Sequence, residues 1–281
     1  MTAPGSGAPP PLRGARLYLL WAAAALFLVG CGILLAGPAL YRSGLADIGF
    51  AMRGLSRASM WIFSAGGVVA LGALLANLVS PPRRGAAPAV ALALVCLIGV
   101  LRLQAFDLER ASLPPLHDVQ TDWTQPVSFT VRALDVREAA GAAPIRDDAV
   151  FPEEAGAWAG RSFADAQSEV YDLKPVRVGA PPPEATLAVA EAAERLGWAV
   201  MLNDPPGGQV EAVHYSRWYG LPSDIAVRIS PDETGSRIDV RAASRQAGSD
   251  MGANASLIKS LIDEVSFALR GRGEPESSPA S

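Results

Sequence analysis

The sequence predicts an integral membrane protein in which three transmembrane helices precede a soluble domain of α+β structure. Three observations support this: long uncharged stretches near the N-terminus, a net charge that changes sign along the chain, and a later change to alternating hydrophobicity. Residues 1–106 carry eight arginines and one acid, Asp47, whereas residues 107–281 carry 16 basic and 27 acidic residues. The net charges, +7 and −11, indicate two different physical environments.

Three apolar stretches predict the membrane-spanning helices, near residues 17–40, 59–79 and 86–106. A helix needs about 20 apolar residues to cross the hydrocarbon core of a bilayer, and it satisfies its own backbone hydrogen bonds there. The transmembrane region is therefore expected at residues 17–106, and the lipid bilayer is its expected partner. Residues 1–16 are rich in Pro, Gly and Ala and are predicted to form a disordered tail.

Small residues recur at a spacing of four in the second stretch, where Gly66 is followed by Ala70 and Gly72 by Ala76. This spacing allows close helix packing in lipid, although Ala and Gly are abundant throughout the chain.

The segment Leu28-Val29-Gly30-Cys31 resembles a bacterial lipobox, which would make Cys31 a lipid-bearing N-terminus. However, the apolar stretch continues past Cys31 and two more stretches follow it, whereas a signal peptide ends its apolar region at the cleavage site. The sequence therefore favours a spanning helix over lipidation.

The arginines near the predicted helix ends give an expected orientation. Excess positive charge usually marks cytoplasmic segments. Arg13 and Arg16 before the first helix, together with Arg83 and Arg84 in the second loop, place the N-terminus in the cytoplasm. The first loop carries arginines that favour the opposite orientation. The 22 arginines against two lysines, with many Ala and Gly, are typical of a GC-rich bacterium. The expected location is the bacterial inner membrane, with the soluble domain in the periplasm.

The soluble domain is expected at residues 107–271, followed by a disordered tail at 272–281. A helix at 184–196, four alternating strands and an amphipathic helix at 257–269 predict an antiparallel sheet with helices packed on one face. Val127 to Val131 are predicted to form a further strand, and residues 138–162 a loop. Alternation turns one set of strand residues toward the helices and the other set toward a face expected to be open to water. The inward set is Ile225, Val227, Ile229, Ile238 and Val240.

The outward set belongs to a group of arginines and polar residues that predicts an anion-binding site. The predicted ligand-binding residues are Arg228, Asp239, Arg241, Arg245, Ser249, Asp250 and Asn254. Arginine pairs bind carboxylate or phosphate through parallel hydrogen bonds, and helix N-termini attract anions. Internal Arg–Asp pairs together with a helix cap explain the same residues, and the pattern favours this alternative.

His117, Asp118 and Asp122 form the best local group of titratable residues and are the catalytic candidates. One histidine with carboxylates is a possible metal site, but turn caps after Pro114 and Pro115 explain the same residues. His214 is the only other histidine and no cysteine lies in the soluble half, so no metal or cofactor is expected.

The soluble half resembles the domain-of-unknown-function family 1499, over roughly residues 113–269. The most specific match runs from Gly235 to Arg241 and continues through Ser244-Arg245, Ser249-Asp250 and Gly252 to Ala255. The other matching segments are Pro115 to Asp122, Gln209 to Ala212 and Asp224 to Ile229. Some bacterial members of this family also carry membrane helices ahead of the domain, as predicted for this chain. The resemblance implies no particular reaction.

The sequence contains no nucleophile elbow, phosphate-binding loop, dinucleotide fingerprint or zinc helix motif. The acidic soluble half also argues against nucleic acid as a partner. The leading hypothesis is therefore a non-catalytic envelope protein that binds a protein partner, an anionic small molecule or a lipid headgroup. The alternative is a hydrolase-like enzyme that uses the His117 segment.

Overall fold

The computed structural model describes residues 12–273. Most of the two predicted tails lies outside the described residues, although residues 12–16 and 272–273 belong to the first and last helices. The chain divides into two compact units between Glu109 and Arg110, one helical and one of mixed structure.

Three helices of the N-terminal unit have the length and apolar composition to cross a membrane, which confirms the prediction of three apolar helices. They are α1 (Leu12–Arg42), α2 (Leu55–Val79) and α3 (Ala86–Ser112), and a π-helical turn at Phe50–Gly54 leads into α2. Large apolar side chains point outward from them, and those of Trp21 and Trp61 are 68% and 72% exposed. Such a surface suits a lipid environment, because removing apolar surface from water is favourable by about 25 cal/mol per Å².

Small residues bring the three helices together around Phe63. A side chain at Gly30 of α1 or at Gly99 of α3 would collide with the Phe63 ring. Gly66 lies against Cys96 of α3, and Ala70 is fully buried. The predicted packing role is therefore confirmed for Gly66 and Ala70. It is wrong for Gly72, whose added Cβ would meet no atom within 4 Å.

The described part of the second unit contains an antiparallel six-stranded sheet, which confirms the predicted α+β class. The four predicted strands are β3 (Ala199–Asp204), β4 (Gln209–Tyr215), β5 (Pro222–Asp232) and β6 (Gly235–Ser244). Two short strands, β1 (Asp118–Gln120) and β2 (Val176–Val178), pair with different parts of β6. The order is β1-β6-β5-β4-β3, so β3 forms one edge of the sheet.

The first face of the sheet packs against α6 (Pro182–Arg195) and α7 (Ala253–Gly273), with α5 (Phe163–Val170) beside them. The predicted inward set is confirmed, because all five side chains are at most 4% exposed. Strand alternation places them on this face, and the apolar side of each helix covers them.

The second face of the sheet is covered rather than open, which corrects the expectation. Residues 123–147 lie over it and include α4 (Val131–Ala139). Val127 and Phe129 of this segment pack against Ala226 and Ala243 of the sheet. Arg241 and Asp239 beneath it are each 1% exposed.

The strand predicted at Val127 to Val131 is wrong, because side chains take the place of a neighbouring strand. Gln120 accepts a hydrogen bond from the Val127 amide at 2.9 Å, and Arg241 donates to the Val127 carbonyl at 3.1 Å. Thr130 then caps α4 by accepting from the amide of Ala133. The extended backbone is thus satisfied without a ladder of its own.

Candidate functional site

Arg241 lies on the second face, on β6 between β1 and β5. Its guanidinium donates to both carboxylate oxygens of Asp118 on β1, at 2.9 and 2.6 Å. It also donates to Asp147 at 2.6 Å, and it lies 5.8 Å from the centre of the Trp123 ring. A bidentate pair of this kind combines charge with fixed geometry. The predicted ligand residue Arg241 and the predicted catalytic residue Asp118 are therefore partners of each other.

A second group of charges joins β5, β6 and the chain after β1. Arg228 and Asp239 are opposite each other in the strand register and approach to 3.3 Å. Asp239 also accepts two hydrogen bonds from Arg237, which in turn donates to Asp122. Hydrogen bonds from Thr124, and then from Arg237, lower the pKa of Asp122 to about 2. Asp122 is thus held ionised by structural partners.

A third group centres on Asp224 of β5. Arg245 donates to both of its oxygens, at 2.9 and 2.7 Å, and Arg137 of α4 donates to one of them. Arg137 is 4% exposed and also donates to the carbonyls of Ala143, Ala243 and Ser244. Burial lowers the pKa of Arg137, and Asp224 opposes that effect. Sequence reasoning missed Arg137, because nothing in the pattern near it indicates a buried position.

Ser249, Asp250 and Asn254 form the start of α7. The Asp250 carboxylate accepts from the amides of Gly252 and Asn254, both at 2.8 Å. Burial raises the pKa of Asp250. The Asn254 amide group donates to the carbonyl of His117 at 3.0 Å, so the cap also anchors the chain before β1. The structure gives this set the cap geometry that the sequence offered as the alternative to anion binding.

His117 is half-buried beside the core rather than at the centre of a charged group. Its ring meets Phe163 edge-on, with the centroids 5.4 Å apart, and burial lowers its pKa although Asp118 opposes the shift. Asp118 and Asp122 point to different arginines. His214 lies on β4, and its ring packs against Trp198, which immediately precedes β3. Within residues 12–273, no three His, Cys, Asp or Glu side chains are grouped so that they could hold a metal ion.

A cavity of about 180 Å³ lies between α4 and the sheet at β3 and β4. Most of its wall is apolar, and the charged residues of the wall are Arg132, Glu211, Asp224 and Arg245. Of the seven predicted ligand residues, the wall includes Arg245. The apolar lining residues include Phe129, Val136, Met201, Leu202 and Val213.

Hydrogen bonds engage both carboxylates of the cavity wall, and the charged group of the wall that the described residues leave without an ion pair is an arginine. Both carboxylate oxygens of Glu211 accept from Thr130, one from its amide and one from its hydroxyl. Asp224 is fully engaged by its two arginines. Arg132 is exposed, and the described residues give its guanidinium no ion pair. With Arg137 counted, three guanidinium groups surround two carboxylates. Sequence reasoning missed most of this wall, because its residues lie far apart in the chain.

Replacing Arg241 by alanine is expected to destabilise the soluble unit by about 3–5 kcal/mol, because it leaves the Asp118 carboxylate buried without its partner. Arg241→Lys should restore little, since a single ammonium cannot make the bidentate contact. Urea unfolding of the full chain, followed by tryptophan fluorescence, measures both variants. Arg177→Ala is the control, because Arg177 is 65% exposed and its pair with Asp232 should contribute no more than about 1 kcal/mol. Equal effects of Arg241→Ala and Arg177→Ala would contradict this account.

The low pKa of Asp122 predicts a specific loss of stability in acid. Its folded pKa of about 2 lies below the ordinary value of 3.8, so the ionised carboxylate stabilises the fold above that value. This contribution should disappear as the pH falls from about 4 toward 2. The difference in urea midpoint between wild type and Asp122→Asn should therefore be largest near neutral pH and shrink in acid. Asp148→Asn, at an exposed carboxylate, is the control; a difference for Asp122→Asn that stays constant with pH contradicts the assignment.

Comparison with known proteins identifies the family of the soluble unit. The family model described as "Protein of unknown function (DUF1499)" matches residues 118–265, which is more than half of the chain. The match begins with β1 and ends within α7, so it contains the whole sheet and both of its covering layers. No curated protein matches the chain significantly. The predicted resemblance is confirmed, and the chain belongs to the DUF1499 family of proteins of unknown function.

Proposed function

We propose that the protein is a membrane-tethered binding protein whose soluble unit takes an amphipathic anion in the cavity beside α4. The observation that carries this proposal is a mostly apolar cavity whose wall includes Arg132, an arginine to which the described residues give no ion pair. The two carboxylates of the wall, Glu211 and Asp224, are balanced by Arg245 of the wall and by the neighbouring Arg137, which donates to Asp224. An apolar surface favours the body of a small organic molecule, and the uncommitted arginine favours its acid group.

The size of the cavity limits the ligand. A cavity of about 150 Å³ is enough to hold benzene, so about 180 Å³ suits one aromatic ring or a short acyl chain. Arg132 and Arg245 line the same cavity, and Arg132 is free to turn toward a carboxylate or phosphate. The expected ligand is therefore a small aromatic or aliphatic acid, or the end of a larger amphipathic anion.

Binding fits the arrangement better than catalysis does. A hydrolase needs a base or nucleophile that is free to meet a substrate. Asp118 and Asp122, the carboxylates of the hydrolase alternative, are each engaged by an arginine. His117 makes a ring contact with Phe163 instead of orienting a nucleophile. The geometry therefore adds no support for the hydrolase alternative.

The bacterial inner membrane, with the soluble unit in the periplasm, is the location we propose for this function. Three crossings place the two ends of the chain on opposite sides, and the arginines before α1 and between α2 and α3 favour a cytoplasmic N-terminus. The acidic balance of the soluble half also disfavours adsorption of that unit to an anionic lipid surface.

Binding of a small acid is tested with 4-fluorobenzoate and the purified full chain in detergent, by fluorine NMR line broadening. Arg132→Gln should weaken binding roughly tenfold because it removes a charge-assisted contact. Ala133→Phe should abolish binding because Ala133 lines the cavity and the larger ring would fill it. Arg146→Gln, which removes an exposed arginine outside the cavity wall, should bind like wild type. Equal binding of neutral 4-fluorobenzamide, or unchanged binding by Ala133→Phe, would contradict the proposal.

The orientation is tested with reporters fused after Ser281 in a bacterial host. A reporter that is active only after export should be active, and a reporter that is active only in the cytoplasm should be silent. The reverse pair of results would place the soluble unit in the cytoplasm. Fusions within the loop between α2 and α3 are the control, because that loop should give the opposite pattern.

A further inference from the structure

A second cavity, of about 180 Å³, lies at one end of the helical unit. It is bordered by the start of α1, the end of α2 and the loop that leads into α3. Its lining residues are Arg16, Leu17, Leu20, Asn77, Pro82, Arg84 and Gly85. This end of the three apolar helices would lie at the depth where a bilayer changes from hydrocarbon to headgroups.

Arg16 of this cavity is a buried cation to which the described residues give no counter-ion. Its side chain belongs to a residue that is only 8% exposed. One terminal nitrogen donates to the carbonyl of Ser80 at 2.6 Å, while Nε is buried and finds no hydrogen-bond partner within residues 12–273. The described residues place no carboxylate in an ion pair with it. A buried charge in this condition is strongly unfavourable unless another group completes its hydrogen bonds.

The surrounding chain offers no acid to neutralise it. Asp47 is the only acidic residue among residues 1–106, and it lies in the loop between α1 and α2, at the far ends of both helices. Arg84 lines the same cavity, and Arg83 next to it donates to the carbonyl of Leu78. The part of the cavity wall that the structure describes thus has two guanidinium groups and no carboxylate.

We propose that this cavity binds the phosphate group of an anionic phospholipid between Arg16 and Arg84. Arginine matches the geometry of phosphate oxygens through parallel hydrogen bonds. Leu17 and Leu20 continue from the charged wall along α1, and Leu17 is 57% exposed, so an acyl chain would find an apolar surface beside the phosphate. The two positive charges select against the ammonium group of a zwitterionic headgroup. The site lies in the helical unit and is independent of the acid-binding cavity proposed for the soluble unit.

The test measures lipid retention by the purified full chain in a mild non-ionic detergent, using native mass spectrometry. Phosphatidylglycerol is compared with phosphatidylcholine, and inorganic phosphate is titrated separately. Wild type should retain phosphatidylglycerol at least about tenfold better than phosphatidylcholine. The headgroup of phosphatidylcholine carries a quaternary ammonium, which the two arginines repel. Phosphatidylglycerol, and not inorganic phosphate, should also raise the thermal unfolding temperature.

Arg16→Gln should weaken retention of phosphatidylglycerol about tenfold or more, because it removes the buried guanidinium to which the phosphate would hydrogen-bond. Arg57→Gln is the matched control, since it removes an exposed arginine near the other end of α2 and should leave retention unchanged. If Arg16→Gln does not fold, Arg84→Gln supplies the same test from the exposed side of the cavity. The proposal is overturned if Arg16→Gln and Arg57→Gln retain phosphatidylglycerol equally. If Arg16→Gln does not fold, it is overturned when Arg84→Gln retains this lipid as well as wild type does. Equal retention of both lipids also overturns it, and equal stabilisation by inorganic phosphate reassigns the cavity to the free ion.

Discussion

The bidentate pair of Arg241 and Asp118 fixes the layer on which the rest of the soluble unit depends. Each partner is buried, so neither charge is stable there without the other. The pair joins β6 to the short strand β1, and the remaining donors of Arg241 hold Asp147 and the Val127 carbonyl. One side chain therefore connects the sheet to both ends of the segment that covers its second face. The apolar cluster beneath that segment is small, so apolar packing alone would hold the segment only weakly if Arg241 were removed.

The candidate cavity follows from this arrangement. Arg137 and the pair of Thr130 with Glu211 fix α4 over β4 and β5, and Arg241 fixes the chain on either side of it. The cavity lies between this helix and the strands β3 and β4. Hydrogen bonds hold Glu211, Asp224 and Arg245 of its wall, and most of the remaining wall is apolar, which is the combination that small-molecule sites usually show.

Buried arginines have different partners in the two units. In the soluble unit Arg137 and Arg241 each meet a carboxylate, and the pairs stabilise one specific packing of the second face. In the helical unit the described residues give the buried Arg16 a single acceptor, the carbonyl of Ser80. The difference has a physical reason. A guanidinium buried in the soluble unit loses its contact with water, and an internal carboxylate must compensate for that loss. A bilayer can itself supply the anion at the level of its headgroups.

The sequence by itself determined the elements whose signals are local. Continuous apolar stretches predicted the three helices, and alternation at Ile225 and Ile238 predicted both the strands and the face that meets α6 and α7. The segment at residues 118–265 also sufficed to identify the family. These signals succeed because each depends on the period of one helix or strand.

Only the tertiary structure decided what covers the second face. The sequence showed that Arg228, Asp239 and Arg241 share that face, but it could not show that residues 123–147 bury most of it. The covering layer depends on side chains that replace strand hydrogen bonds, such as Gln120 and Arg241, and on the buried position of Arg137. The contacts of Arg241 with Val127 and of Arg137 with Asp224 join residues 114 and 87 positions apart, and none of these side-chain contacts leaves a periodic pattern. For the same reason the cavity, assembled from α4, β3 and β4, was not visible in the sequence.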